Sequence, residues 1–206
     1  MKRCLAFILC FITIVNLGIV GVKAQDEEIE MLYVISSDDT YIRKNYADEN
    51  FGSVAEIALD NTGSNNRRMI YVGFDISDYS AEIRYAAKIV FRLYPKEASS
   101  ILNMVTYPLM GGHKNFDEDT LTWNSAAGIT ENGVNLRDFE DGVIPLTASS
   151  ISGAAECDVT DYIKDQSDGV AAFKVDSIRP AFTVYSKERA GYAPQLIIYT
   201  DFRSRI

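Results

Sequence analysis

Only 20 lysines and arginines stand against 29 aspartates and glutamates in this 206-residue chain, so places where positive residues gather carry the most information. Three such places occur: Arg43-Lys44, Arg67-Arg68, and Lys187 with Arg189. Each flanks a β-rich run, and Tyr41, Tyr46 and Tyr185 lie beside them. Guanidinium forks suit carboxylate and sulfate groups, and tyrosine rings offer flat faces to sugar rings. If the three segments meet in space, they form a local basic patch on an acidic protein. The competing role for the same side chains is ordinary cross-strand pairing with the many acids.

The other chemistry-bearing residues point to less. Carboxylates gather at Asp38-Asp39, at Asp117-Glu118-Asp119, and at Asp158 with Asp161. Calcium takes about 6–8 oxygen ligands, which loop carboxylates at a sheet edge can supply. No EF-hand spacing occurs, so these acids are expected to cap turns and solvate the surface. A structural calcium is the one ion such groups invite, and no cofactor is required. His113, the one histidine, sits in Gly111-Gly112-His113-Lys114-Asn115 and is expected in an exposed loop. A lyase using His113 as base with a tyrosine is the remaining enzymatic reading. The chain has no Gly-x-Ser-x-Gly elbow, no His-Glu-x-x-His and no phosphate-cradling glycine loop, and no catalytic residue is assigned. Trp123, in Glu118-Asp119-Thr120-Leu121-Thr122-Trp123-Asn124, has a strand-like context and is expected to pack in the core or at an edge.

The elements that must position these residues read as β. Met1-Lys2-Arg3, an apolar stretch from Cys4 to about Val20, and Val22-Lys23-Ala24 form the pattern of a cleaved secretion signal over 1–24. Loss of Lys2, Arg3 and Lys23 leaves 17 basic against 29 acidic residues, a balance of −12. That opposes generic binding to nucleic acid or to an anionic membrane. Cys4 and Cys10 leave as well, so Cys157 can form neither an internal disulfide nor a thiolate metal site; it is expected as a buried small hydrophobe.

A short acidic segment, 25–31, then leads into a single domain over 32–206. Strands are expected at Leu32–Ile35, Thr40–Arg43, Glu56–Leu59, Met69–Phe74, Lys88–Tyr94, Asn103–Pro108, Gly142–Leu146, Val170–Val175, Thr183–Ser186 and Gln195–Tyr199. Within Lys88–Tyr94, Ile89, Phe91 and Leu93 share one face while Arg92 and Tyr94 take the other, the period of a half-buried strand. Helix is expected only at Thr160–Asp165, with Thr160 as cap. Many short strands between turn clusters predict an all-β, two-sheet sandwich or jelly roll with little helix.

In this order the segments form a known pattern. Asp39-Thr40-Tyr41-Ile42-Arg43 and Glu49-Asn50-Phe51-Gly52-Ser53 resemble the opening motifs of the secreted β-sandwich domains called DNRLRE domains, grouped with carbohydrate-binding module family 96. Arg67 through Ser77 is similar to the family's Arg-Arg-x-Tyr-Leu-x-Phe-Asp-Leu-Ser strand, and Ala86 through Tyr94 to its Ala-x-Leu-x-Leu-Tyr strand. Glu118 to Asn124, Asp158-Val159-Thr160-Asp161-Tyr162, and Ser186-Lys187-Glu188 with Ala193-Pro194-Gln195-Leu196 continue the likeness to the end of the chain.

The resemblance implies a non-catalytic jelly roll that binds polysaccharide, with alginate the ligand associated with the family. It draws attention to Arg43, Arg67 or Arg68, and Lys187 with Glu188; together with Tyr185 these are the expected binding residues. Lys187 stands where the family has arginine, and lacks its planar fork. A polysaccharide is the expected partner, and the oligomeric state is open. The rival from another class is an adhesion module whose partner is a protein. An exposed apolar patch, or a reactive Cys157 joining two copies, would favour it.

Overall fold

The computed structural model describes residues 29–61, 63, 65–97, 104–149, 153–177 and 182–201. The expected secretion signal lies outside the described residues. Two five-stranded antiparallel sheets face each other. The first runs in the order β1 (Ile29–Ile35), β14 (Gln195–Asp201), β5 (Ala86–Leu93), β11 (Ala155–Asp158) and β10 (Thr147–Ala148). The second runs β2 (Asp38–Arg43), β4 (Arg68–Asp75), β12 (Val170–Ser177), β6 (Met104–Pro108) and β9 (Ile144–Pro145). A small pair, β3 (Glu56–Leu59) with β13 (Phe182–Tyr185), closes one end, and a hairpin of β7 (Thr130–Glu131) and β8 (Val134–Asn135) lies outside. The only α-helices among the described residues are α1 (Ser80–Tyr85) and α2 (Thr160–Lys164).

Alternation along the strands fills two cores. Ile70, Val72 and Phe74 of β4 face the space between the sheets, with Phe91 and Leu93 of β5, Phe173 and Val175 of β12, and Leu196 and Ile198 of β14. Phe91 stacks on Phe173 with centroids 4.5 Å apart, and Phe74 meets both edge-on at 5.9 and 6.1 Å, so three rings join the sheets. Each such buried side chain contributes about 1.5–3 kcal/mol of transfer free energy. The opposite face of β4 presents Met69 and Tyr71 to a second core with Ile42, Leu109, Phe116, Leu121, Trp123 and Leu136. The connection between β6 and β9 therefore folds back over the outer face of the second sheet, which is why β4 is buried on both sides.

Several expectations need correction. His113 is only 1% exposed, not a loop surface residue: the returning segment encloses it. Trp123 belongs to a turn rather than a strand, though it is buried in the second core with the Arg137 guanidinium 5.2 Å from its ring. Thr160 does not cap α2 but begins it; its hydroxyl accepts the Ile89 N–H at 2.8 Å, and Asp158 accepts the Thr160 N–H at 3.0 Å. Arg92, on the second face of its strand, is only 4% exposed, and Glu156 on the neighbouring strand accepts its Nε–H at 2.6 Å.

Candidate functional site

The motif residues converge on one knot. Asp39 is fully buried in β2. Its N–H donates to Glu118 Oε2 at 2.8 Å, while its Oδ2 accepts the Lys187 N–H at 2.7 Å and the Ser36 hydroxyl at 3.2 Å. The Lys187 ammonium donates to Glu118 and lies 3.8 Å from Glu188, whose Oε2 is 2.7 Å from the Ser186 hydroxyl. Asn50 donates its amide to the carbonyls of Glu118 and Leu121 at 2.6 and 2.9 Å. Gly52 passes so close to this segment that a Cβ would stand 2.2 Å from the Glu118 carbonyl oxygen, so no larger residue fits.

Burial pushes the Asp39 carboxyl up to about 7; Glu188 and Glu118 push the same way, against the hydrogen bonds from Lys187 and Ser36. Asp39, Glu118 and Glu188 bring carboxylate oxygens within 4.8 Å of one another, the one such trio among the described residues. The ammonium of Lys187 stands among them. Segments remote in sequence are thus tied together by charge-assisted hydrogen bonds, which are among the stronger polar contacts a fold can use.

Arg43 and Arg68 occupy the far end of the same strand pair. They are register partners across β2 and β4, and directly opposed like charges destabilise a sheet. Arg43 donates Nε–H and Nη2–H to Asn66 Oδ1 at 3.2 and 3.0 Å, and its guanidinium lies 4.3 Å from the centre of the exposed Tyr46 ring. Asn66 in turn donates to Asp60 at 2.6 Å. Arg68 Nε is buried with no hydrogen-bond partner among the described residues. Among the described residues neither arginine forms an ion pair with a carboxylate. Tyr41, stacked on Phe51 at 4.4 Å, adjoins them: burial raises the pKa of its hydroxyl while Arg68 and Arg43 pull it down.

The remaining expected residues go elsewhere. Arg67 turns to the opposite face of the second sheet and pairs with Asp176 at 3.0 Å and Glu140 at 3.2 Å. Tyr185 leans on Tyr192 with centroids 5.0 Å apart, Tyr94 meets Tyr192 at 5.6 Å, and the Arg189 guanidinium lies 5.5 Å over Tyr185. Tyr185 pairs with Glu56 at one end of β3, and Arg68 bridges to Asp60 just past the other. At 3.3 Å per residue the aromatic group therefore lies ~13 Å from the arginine pair. The structure brings Arg43 to Arg68, gathers Lys187 and Glu188 into the knot, and separates Arg67 from both.

No site role is expected from the sequence for Asn66, Tyr94 or Tyr192. Tyr94 carries a readable signal, its place on the polar face of its strand; Tyr192 and Asn66 lie in turns, where no periodicity marks them. A cleft of about 560 Å³ opens at the other end of the second sheet, lined by Asp38, Asp75, Asp117, Asp168, Lys114 and Ser77. Lys114 closes one wall by donating to Asp168 at 2.7 Å.

Comparison with curated proteins yields no match. The family model of carbohydrate-binding module family 96 matches residues 30–200. That span contains the knot, the arginine pair and the aromatic group, and the motifs that meet in the knot come from both of its ends. The chain belongs to carbohydrate-binding module family 96.

Proposed function

We propose that this carbohydrate-binding module is exported, is non-catalytic, and recognises an acidic, alginate-like polysaccharide at the rim formed by Arg43 and Arg68. The observation that carries the reading is the pairing of two arginines opposite each other with no ion pair to a carboxylate on either among the described residues, in a protein with 29 acids. Arg67, Arg92, Lys96, Lys114 and Lys187 each hold an acid, whereas Lys44, Arg84, Lys88, Arg137, Lys164, Lys174 and Arg189 form no ion pair among the described residues. What sets Arg43 and Arg68 apart is that they stand directly opposite each other. A uronate carboxylate supplies the missing counter-charge, and Arg43 keeps donors for it beyond those on Asn66.

Tyr46 under Arg43, and Tyr185 with Tyr192 further along, offer ring faces to a polymer chain. The net negative charge of the protein opposes a polyanion at long range, but salt screens that beyond ~8–10 Å. Contact on an open rim gives modest affinity per site, which several copies on one polymer raise by avidity. Affinity electrophoresis through gels of alginate, sulfated and neutral polysaccharides, at low and high salt, tests the reading. Retardation by uronate gels that weakens with salt supports it; retardation by neutral gels alone discards the arginine rim; none in any gel sinks the module's assignment to a polysaccharide.

A second reading, a protein-adhesion module, is favoured by one observation. Ile29, Met31, Tyr33 and Ile35 alternate along β1 and are 47–56% exposed, an apolar stripe on the outer face of the first sheet. Cys157 gives that reading no help, because it is 6% exposed. Absence of glycan binding together with concentration-dependent self-association in sedimentation would make it the better one.

A further inference from the structure

On the side of the second sheet opposite Arg68, a cleft of about 460 Å³ is lined by Met110, His113, Glu131, Asp138, Phe139 and Asp141, among others. Its volume lies in the range of small-ligand pockets. The tight β7–β8 hairpin positions one wall: Asn132 and Gly133 take φ of 51° and 81°, the two-residue turn that suits a right-handed twist. Gly111 permits the approach of the other wall, since a Cβ there would stand 2.2 Å from the Glu131 carboxylate.

His113 is fixed at the base of the cleft. Its Nε2 lies 2.8 Å from the Val134 carbonyl oxygen, and its ring packs edge-on to Phe139 with centroids 5.0 Å apart. A carbonyl can only accept, so Nε2 donates to it, and the other ring nitrogen, Nδ1, faces Glu131. Glu131 Oε2 lies 3.9 Å from Nδ1. Both atoms are buried with no hydrogen-bond partner among the described residues. Buried polar atoms are ordinarily satisfied, so these two, facing each other across 3.9 Å, mark a position made for a bridging group.

The charge around it selects that group. Glu131, Asp138 and Asp141 have no lysine or arginine within ion-pair distance among the described residues, while Glu140 is taken by Arg67. A metal bridging the pair needs bonds of about 2.0–2.2 Å to nitrogen and oxygen, and 3.9 Å is too wide for these at a tetrahedral angle. Two hydrogen bonds of ordinary length from a single nitrogen span that gap. The Glu131 side chain is 32% exposed, so the pair can be reached from solvent on its side, whereas His113 is enclosed.

We infer that this cleft is a second ligand site, distinct from the arginine rim, that takes a primary ammonium group carried by an amino sugar. The ammonium donates to Glu131 and His113, and Phe139 and Met110 face the apolar side of the ring. The inference does not depend on the ligand proposed for Arg43 and Arg68.

The single histidine makes the test direct, because its ring signals in NMR have no overlap from another. The protein is titrated with fully deacetylated glucosamine trisaccharide, with the N-acetylated trisaccharide, and with a glucose trisaccharide. The site predicts saturable movement of the His113 ring signals with the amine alone, about tenfold weaker or lost in Glu131→Gln, and unchanged in Arg68→Gln. No movement with the amine, equal movement with the neutral sugars, or full binding by a folded Glu131→Gln protein would each overturn it. A pH-matched blank excludes movement from proton uptake.

Discussion

The Asp39 carboxyl gives the sharpest handle on how the knot holds this sandwich. It is fully buried, one of its oxygens has no hydrogen-bond partner among the described residues, and burial raises it to about 7 from the usual 3.8. The folded protein therefore keeps a proton that the unfolded chain releases, so stability falls as pH rises from about 4 to about 7 and levels off above. At about 1.4 kcal/mol per pH unit, the full gap is worth about 4 kcal/mol, and the part between pH 4.5 and 7 about 3 kcal/mol. Asp75, hydrogen-bonded by Ser77, and Asp168, hydrogen-bonded by Lys114, are shifted the other way. Their contribution is lost only on acidification below the ordinary carboxylate range, outside this window. Asp39→Asn keeps an acceptor for the Lys187 N–H and removes the charge. Urea unfolding at pH 4.5, 5.5, 6.5 and 7.5 should show the wild type losing about 3 kcal/mol across the series relative to Asp39→Asn. Equal pH slopes for the two proteins would refute the buried, proton-holding Asp39.

Other consequences follow from the same geometry. Gly52→Ala places a methyl against the Glu118 carbonyl at 2.2 Å and should cost at least about 1–3 kcal/mol, read as a lowered thermal midpoint. An unchanged midpoint would mean that the two segments are not held as close as described. The Cys157 thiol, pushed up to about 12 by burial, should resist a thiol-specific reagent at neutral pH until denaturant is added. Rapid labelling of the native protein would contradict its place in the core.

The strands that announced themselves were those whose side chains are β-branched or aromatic and flanked by turns: Glu56–Leu59 has the expected bounds, and Met69–Phe74 extends by one residue at each end. Strand β11 reads Ala-Glu-Cys-Asp and has no such signal; its place between β5 and β10 makes it a strand. The β7–β8 hairpin was legible in principle, because Asn132-Gly133 is the strongest short turn signal. Helix α1 shows no apolar period, since only Ile83 of its six residues is buried. Burial of His113 could not be read locally, because it depends on a segment some 20 residues later folding back over it.

The site was legible as residue types but not as a constellation. Arg43 and Arg68 are basic residues at two strand ends, and only the β2–β4 register makes them neighbours. Arg67 and Arg68 look equivalent in sequence, yet strand alternation sends them to opposite faces, one to Asp176 and one to Arg43. The motif Ser186-Lys187-Glu188 invited a ligand role; in the fold its Lys187 backbone N–H meets Asp39, and its Lys187 and Ser186 side chains meet Glu118 and Val54.

The central claim is tested most directly by calorimetric titration of a uronate oligosaccharide into the wild type and into Arg43→Gln/Arg68→Gln, with equal thermal midpoints verified beforehand. Charge-assisted hydrogen bonds contribute about 1.5–3 kcal/mol each, so the double variant should bind at least about tenfold more weakly, with the salt dependence of the wild type reduced. Wild-type affinity in the folded double variant would contradict the assignment of the arginine rim.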